Sequence, residues 1–278
     1  MKPTSNTVAF FCLSFIQLSL LGSIHSIDSI KEVADFLNNC DNQALIAFDV
    51  DEVLVMAQDK ILRKNPEFII NTFEKEYWQP IPNAEYKDYL AYVKWNSYKA
   101  MLVEPETARI IATLQQKKMR VITLTHMVTG QSHMIASMEE WRFGRLCEIG
   151  IDMSKNNPEA FVFDEFPASR NHYPTFSKGI LATNRNNSKG SVLSAFIKKA
   201  HLKPSVVVFF DDYDEHVQSV DAAMADLGIP CRAYHYHATE KMVNDVDLAV
   251  AKFQYDYLVA HEQWLTDEQA RQLMKTQI

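Results

Sequence analysis

Four short runs dominate the pattern of this chain: 44–48 (ALIAF), 121–124 (VITL), 205–210 (SVVVFF) and 231–234 (CRAY). Largely apolar runs of this length, without alternation, are typical of strands buried on both faces of a parallel sheet. Between them lie amphipathic stretches at 106–118, 131–141, 190–200 and 216–227, with apolar residues at helical spacing. Strand and helix therefore alternate, which predicts an α/β fold built on a doubly wound parallel sheet. A helix is also expected at 27–39, from the spacing of Ile27, Ile30, Val33 and Leu37. A long helix is expected at 240–264, and a short one at 267–274 with Thr266 as its N-cap. With 278 residues the chain has room for one sizeable domain plus an insertion.

Two stretches break the alternation. Residues 56–104 are rich in Tyr, Trp, Phe and Lys, look helical, and read as a small cap over the strand ends. Residues 160–187 read as a β-hairpin or flap: an apolar 161–163, a polar turn with Pro167 and Pro174, then an apolar 179–183. Tyr86, Tyr89, Trp95, Arg170 and His172 lie in these two stretches and are candidates for contacting a ligand.

The first 26 residues differ in character. Lys2, an apolar run at 8–22 and small residues at 23–26 form the three-part pattern of a secretory signal, which places the mature domain at 27–278. The run is short for a membrane span. Export to the periplasm or the medium is expected, with no stable membrane span after cleavage; an uncleaved anchor and a buried helix are the alternatives. Cys40, Cys147 and Cys231 remain, an odd number that permits at most one bridge, and buried apolar cysteines are the plainer reading. A net charge of -7 supplies no basic footprint, so no nucleic-acid partner is expected.

Ligands of open parallel sheets bind beyond the carboxyl ends of the strands. The first run is followed there by Asp49 and Asp51, the second by Thr125 and His126, the third by Asp211, Asp212 and Asp214. Each has an ordinary reading as a turn or cap residue, Thr123 competes with Thr125, and Lys178 and Lys198 compete with Lys189. Several carboxylates gathered at one edge raise one another's pKa unless a cation is present. Mg2+, a hard ion that takes a few carboxylate oxygens and water, answers that requirement. Other metal patterns fail: His261-Glu262 lacks the second histidine of an H-E-x-x-H site. His235 and His237 alternate on a strand and read as structural.

Four of these segments resemble, in order, the motifs of the haloacid dehalogenase (HAD) superfamily. They are FDVDEVL at 48–54, the strand-ending Thr125, Lys189 in NSKGSVL at 187–193, and the acidic pair Asp211-Asp212. The resemblance covers 44–236. EHVQSV at 215–220 and WLTDE at 264–268 look more closely like an uncharacterised group of exported bacterial HAD-like proteins. The resemblance implies a HAD-like Rossmannoid core and a Mg2+-dependent phosphatase acting on a small phosphorylated substrate. Asp49 would be the nucleophile, Asp51 the acid–base group and, through its carbonyl, a metal ligand. Thr125 and Lys189 would bind the phosphoryl group, and Asp211 and Asp212 the metal. A phosphotransferase sharing the Asp49 intermediate, or an exported binding or effector protein of this fold, are the alternatives. His126 and His216 depart from the family pattern at positions where Asn or Arg, and Asn, are usual.

Overall fold

A computed structural model describes residues 23–276, so the apolar run at 8–22 lies outside the described residues. In chain order the elements begin with β1 (Ser23–Ile27), α1 (Ala34–Asn39), β2 (Leu45–Phe48) and β3 (Val55–Ala57). The next are α2 (Glu67–Phe73), α3 (Ala84–Ser97), β4 (Ala100–Leu102), α4 (Thr107–Gln116), β5 (Arg120–Thr125) and α5 (Met138–Glu148). Then come β6 (Phe161–Val162), β7 (Thr175–Ser177), β8 (Ile180–Ala182), α6 (Lys189–Lys199) and β9 (Val207–Asp211). α7 (Asp214–Asp226), β10 (Cys231–Tyr236), α8 (Leu248–His261) and α9 (Asp267–Thr276) complete the chain.

The fold is mixed α/β around one eight-stranded sheet of order β1-β10-β9-β2-β5-β8-β7-β6. The strands from β1 to β8 in that order run parallel, and β7 and β6 add an antiparallel edge. The two-residue period of the strands divides the core between the faces. Ile46, Phe48, Val208 and Phe210 point to one side, against Leu37 of α1, Ile111 and Leu114 of α4 and Leu146 of α5. Leu45, Ala47, Val207 and Phe209 point to the other, against Val192 and Phe196 of α6 and Val217 and Val220 of α7. Both faces being covered, the central strands need apolar residues at every position, and β2 and β9 are buried throughout.

The structure corrects several expectations. Ile27 belongs to β1, not to a helix; the helical path starts after Ser29, whose side chain caps the 3-10 turn Ile30–Val33. The sheet takes in positions 23–26, so the domain begins ahead of the boundary expected at 26/27. α5 starts at Met138 rather than 131, because Ser137 caps it by accepting from the Glu140 amide. α8 starts at Leu248 rather than 240, behind the cap Asp247. Thr266 does accept from the Gln269 amide at the start of α9.

The 160–187 stretch is part of the main sheet and not a separate flap. Its hairpin is β7–β8, closed by Lys178 and Gly179, both in the left-handed region (φ 50° and 77°). That is the mirror-type turn whose twist matches a tight hairpin. A side chain at Gly179 would meet the Met153 carbonyl oxygen at 2.1 Å.

The 56–104 stretch holds α2 and α3, joined by a π-helical turn at Glu74–Trp78, between the antiparallel pair β3 and β4. It leans on the C-terminal region: Ile69, Phe73, Tyr77 and Leu90 pack with Tyr255 and Leu258 of α8 and with Trp264. Lys94 is buried in this contact with no ion pair among the described residues. Its ammonium sits over the rings of Trp78 (4.6 Å), Trp95 (5.2 Å) and Tyr255 (5.5 Å). Burial pushes the lysine down to about 8, with Glu74 opposing weakly. Between that value and the ordinary 10.5 the unfolded chain holds more protons than the folded one, so stability rises with pH across this window. The gain there is about 3 kcal/mol. Lys94→Met should stabilise the neutral protein and remove this rise. Urea unfolding on either side of the window measures both, and a rise that persists in the variant refutes the assignment.

Candidate active site

The carboxyl ends of β2, β5 and β9 adjoin at one edge of the sheet. Asp49 follows the last residue of β2, and its amide donates to the Phe210 carbonyl at 2.8 Å, which locks it beside β9. Thr125 ends β5 and Asp211 ends β9. Lys189 arrives from the other direction as the first residue of α6, behind the N-cap Ser188. Gly190 lets this helix sit hard against α7, because an added Cβ would lie 2.0 Å from the Ser219 carbonyl oxygen. Close packing carries Lys189 into the interior, where its side chain is fully buried.

The Lys189 ammonium lies 2.6 Å from Asp49 Oδ1 and 2.6 Å from Asp211 Oδ2. Asp211 Oδ1 accepts from the Tyr213 amide at 2.9 Å and from His216 Nδ1 at 3.2 Å. Asp212 Oδ2 lies 3.0 Å from Lys64 Nζ, which also sits 4.2 Å over the Tyr213 ring. One oxygen each from Asp49, Asp211 and Asp212 lies within 4.8 Å of the others. Asp51 stands apart from that cluster, exposed, with both oxygens clasped by the buried Arg142 at 2.8 and 2.9 Å. It reaches its position through a tight turn in which the amides of Leu54 and Val55 donate to the Val50 carbonyl and Glu52 is left-handed (φ 64°).

The electrostatics follow from burial and charge count. Burial pushes Asp49 up; Lys189 opposes this, and Asp211 and Asp212 add to it. Burial also works against ionised Asp211, but Lys189 and His216 outweigh it and hold that carboxyl below the usual range. Burial raises Asp212 despite Lys64. Lys189 is held above its ordinary value because Asp49 and Asp211 overcome the cost of burying it. Three carboxylates thus face two ammonium groups. Asp212 Oδ1 is buried with no partner among the described residues. An unpaired buried carboxylate oxygen is costly. An all-oxygen donor set with one orphaned oxygen and one negative charge in excess fits a hard divalent cation such as Mg2+.

A cavity of about 550 Å3 opens above this cluster. Asp49, Asp51, Thr125, His126, Asp212 and His216 line its inner part; Thr123 does not line it, and its hydroxyl is buried without a partner among the described residues. The His126 and His216 rings stack at 5.2 Å with an 11° tilt. Burial, then the neighbouring His216, lowers the His126 pKa. Arg63, Lys64, Arg142, Arg170 and Arg185 bring five cations to the walls. Of the residues singled out in the cap and flap stretches, Trp95 and Arg170 line the cavity. Tyr86, Tyr89 and His172 do not; Tyr86 and Tyr89 instead pack in the α8 contact.

Lys64 and Arg142 carry no mark in the sequence. Arg142 lies beyond the end expected for its helix at 141. Arg185 does carry a signal, since it follows the carboxyl end of β8, where ligands of parallel sheets bind.

A family model described as "Protein of unknown function (DUF2608)" matches residues 26–271. The chain is similar to an uncharacterised protein of Rickettsia prowazekii (strain Madrid E), 23% identical over 252 residues, covering 90% of this chain and 89% of the relative. It is also similar to uncharacterised proteins of Rickettsia bellii (strain RML369-C) and Rickettsia conorii (strain ATCC VR-613 / Malish 7), each 24% identical. These matches cover 82% of this chain and 80% and 81% of the relatives. No solved structure matches the chain.

Proposed function

We propose that this chain, which belongs to the DUF2608 family, hydrolyses phosphate monoesters through an aspartyl-phosphate on Asp49, on a haloacid-dehalogenase-like core. The observation that carries the reading is the buried Lys189 ammonium 2.6 Å from both Asp49 and Asp211. A structural ion pair needs one carboxylate; a third one nearby, Asp212, with an orphaned oxygen, is the arrangement of a site that handles added charge. The order of the four segments and their meeting at the ends of β2, β5, β9 and the start of α6 support the core assignment.

Asp49, Asp211 and Asp212, with the Asp51 carbonyl, would hold a magnesium ion, which supplies positive charge to the phosphoryl oxygens. An Asp49 oxygen attacks phosphorus, the bond to the ester oxygen breaks, and the leaving oxygen takes a proton from Asp51. Water then attacks the aspartyl-phosphate, Asp51 recovers a proton from it, and phosphate leaves with Asp49 restored. Lys189 neutralises Asp49 and the incoming phosphoryl group, and the Thr125 hydroxyl donates to a phosphoryl oxygen. In its clasp with Arg142, Asp51 has both oxygens engaged. Its proton transfer therefore requires the side chain, which already borders the cavity, to leave Arg142.

The test is hydrolysis of p-nitrophenyl phosphate and a panel of small phosphomonoesters by the purified chain, with Mg2+ and with EDTA. Release of phosphate in Mg2+ alone is expected; no release from any ester would overturn the proposal. Arg170 and Arg185 are exposed on the cavity wall. They fit a second anionic group on the substrate. Arg185→Ala should raise KM about tenfold and leave kcat nearly unchanged, as loss of one charge-assisted contact predicts. A fall in kcat at constant KM would contradict that role.

Export remains part of the proposal. β1 pairs along its whole length with β10, so the mature chain must keep Ser23. N-terminal sequencing of secreted protein should find a start at or before that residue; a start beyond Ile27 would mean that the edge strand is dispensable.

A further inference from the structure

We propose that His235, His237 and Glu240 form a second metal site, for a borderline divalent ion of the Zn2+ type, separate from the carboxylate cluster. His235 lies on β10 in register with Asp211 on one side and Ser26 on the other. His237 follows two residues on, so both rings leave the chain on the same side, 4.0 Å apart at a 50° tilt. Glu240 comes back toward them from the 3-10 turn Thr239–Lys241. One ligand atom from each of the three lies within 4.8 Å of the others.

The hydrogen bonds say which ring atoms remain for an ion. His235 Nε2 lies 3.2 Å from the Asp212 carbonyl oxygen. A carbonyl only accepts, so Nε2 carries the proton and Nδ1 offers a lone pair. That Nδ1 faces another acceptor, Asp214 Oδ1, at 4.0 Å. His237 Nδ1 lies 3.0 Å from Glu240 Oε2, so an unprotonated Nδ1 and that oxygen can take the same ion, with the proton on Nε2. His235 is thus oriented as a metal-bound histidine is, with its second nitrogen tied to a carbonyl. Glu240 offers Oε2 to the ion. The histidine side chains are 20% and 22% exposed, so an ion has access.

The two sites differ in kind. Two imidazoles and carboxylate oxygen suit Zn2+ and poorly suit Mg2+; the Asp49, Asp211 and Asp212 oxygens are the reverse. They are also linked, because His235 holds the Asp212 main chain. An ion bound here would fix the turn that carries the acidic pair.

The test is calorimetric titration of the purified chain with Zn2+ at neutral pH in saturating Mg2+. One equivalent should bind. His235→Gln/His237→Gln should weaken that binding at least about 100-fold, as loss of primary ligands exceeds the 10–100-fold cost of outer-shell partners. Asp49→Asn should leave it intact. Glu240→Gln, at an exposed position, should weaken binding without affecting the fold by circular dichroism. Co2+ in place of Zn2+ should give visible bands in the wild type that vanish in the histidine variant. Absence of stoichiometric Zn2+ binding, binding unaltered by the histidine changes, or loss of binding in Asp49→Asn alone would each overturn the proposal. None of these readouts depends on phosphatase activity, so failure here is separable from failure of the proposed reaction.

Discussion

Asp49→Asn should reduce kcat/KM for any phosphomonoester substrate by on the order of 10⁴-fold or more, the scale on which removal of a nucleophile registers. Asparagine keeps the size and most of the hydrogen bonding of the side chain, so the fold should survive. It removes the attacking oxygen's charge while leaving Lys189 and Asp211 in place. Wild-type enzyme quenched in acid during turnover should carry the mass of one phosphoryl group on the peptide containing Asp49, and the variant none. Activity within tenfold of wild type would remove Asp49 from the nucleophile's role, whatever the fold.

The second large effect concerns stability. Lys189→Met leaves Asp49 and Asp211 facing each other in the interior, where Lys189 holds both at 2.6 Å. Removing one partner of a buried ion pair costs about 3–5 kcal/mol, because the remaining charge is stranded. For a domain of this size that lowers Tm by roughly 6–20 °C. The sign of the coupling is informative: in the Lys189→Met/Asp49→Asn double variant one stranded charge is gone, so part of the loss should return. Saturating Mg2+ should also restore part of it. Denaturant unfolding of the four proteins measures the cycle. A single variant within about 1 kcal/mol of wild type, well under the expected range, would show that the ammonium does not balance these carboxylates.

Both predictions rest on residues visible in the sequence, for a simple reason. β2, β5 and β9 are covered on both faces, and two-sided burial demands the continuous apolar runs that mark them. Residues that end such strands must lie along one edge, so Asp49, Thr125 and Asp211 followed. What escaped notice is set by tertiary contacts. β1 is an edge strand with exposed positions, and β7 has only three residues, so neither carries such a run. The stretch 131–137, expected as the start of α5, is an irregular segment whose Ile135 packs with Met127, Val128 and Met138 rather than along one helix face. Lys64 reaches Asp212 across 148 residues of sequence, and Arg142 reaches Asp51 across 91. No local spacing encodes such pairs.

The contact between the 56–104 stretch and α8 bears on how the cavity is made. Leu62, Lys64, Trp95 and Tyr98, early in the chain, form one of its walls. The stretch that carries them is steadied by Tyr255, Leu258 and Trp264. Asp59 likewise accepts from Trp264 Nε1 at 2.9 Å and from the Asp267 amide at 2.8 Å. During synthesis that wall therefore waits, unbraced, until the chain through Asp267 has left the ribosome. α8 acts as a keystone, and this side of the cavity is completed about 200 residues after Asp49 has been made.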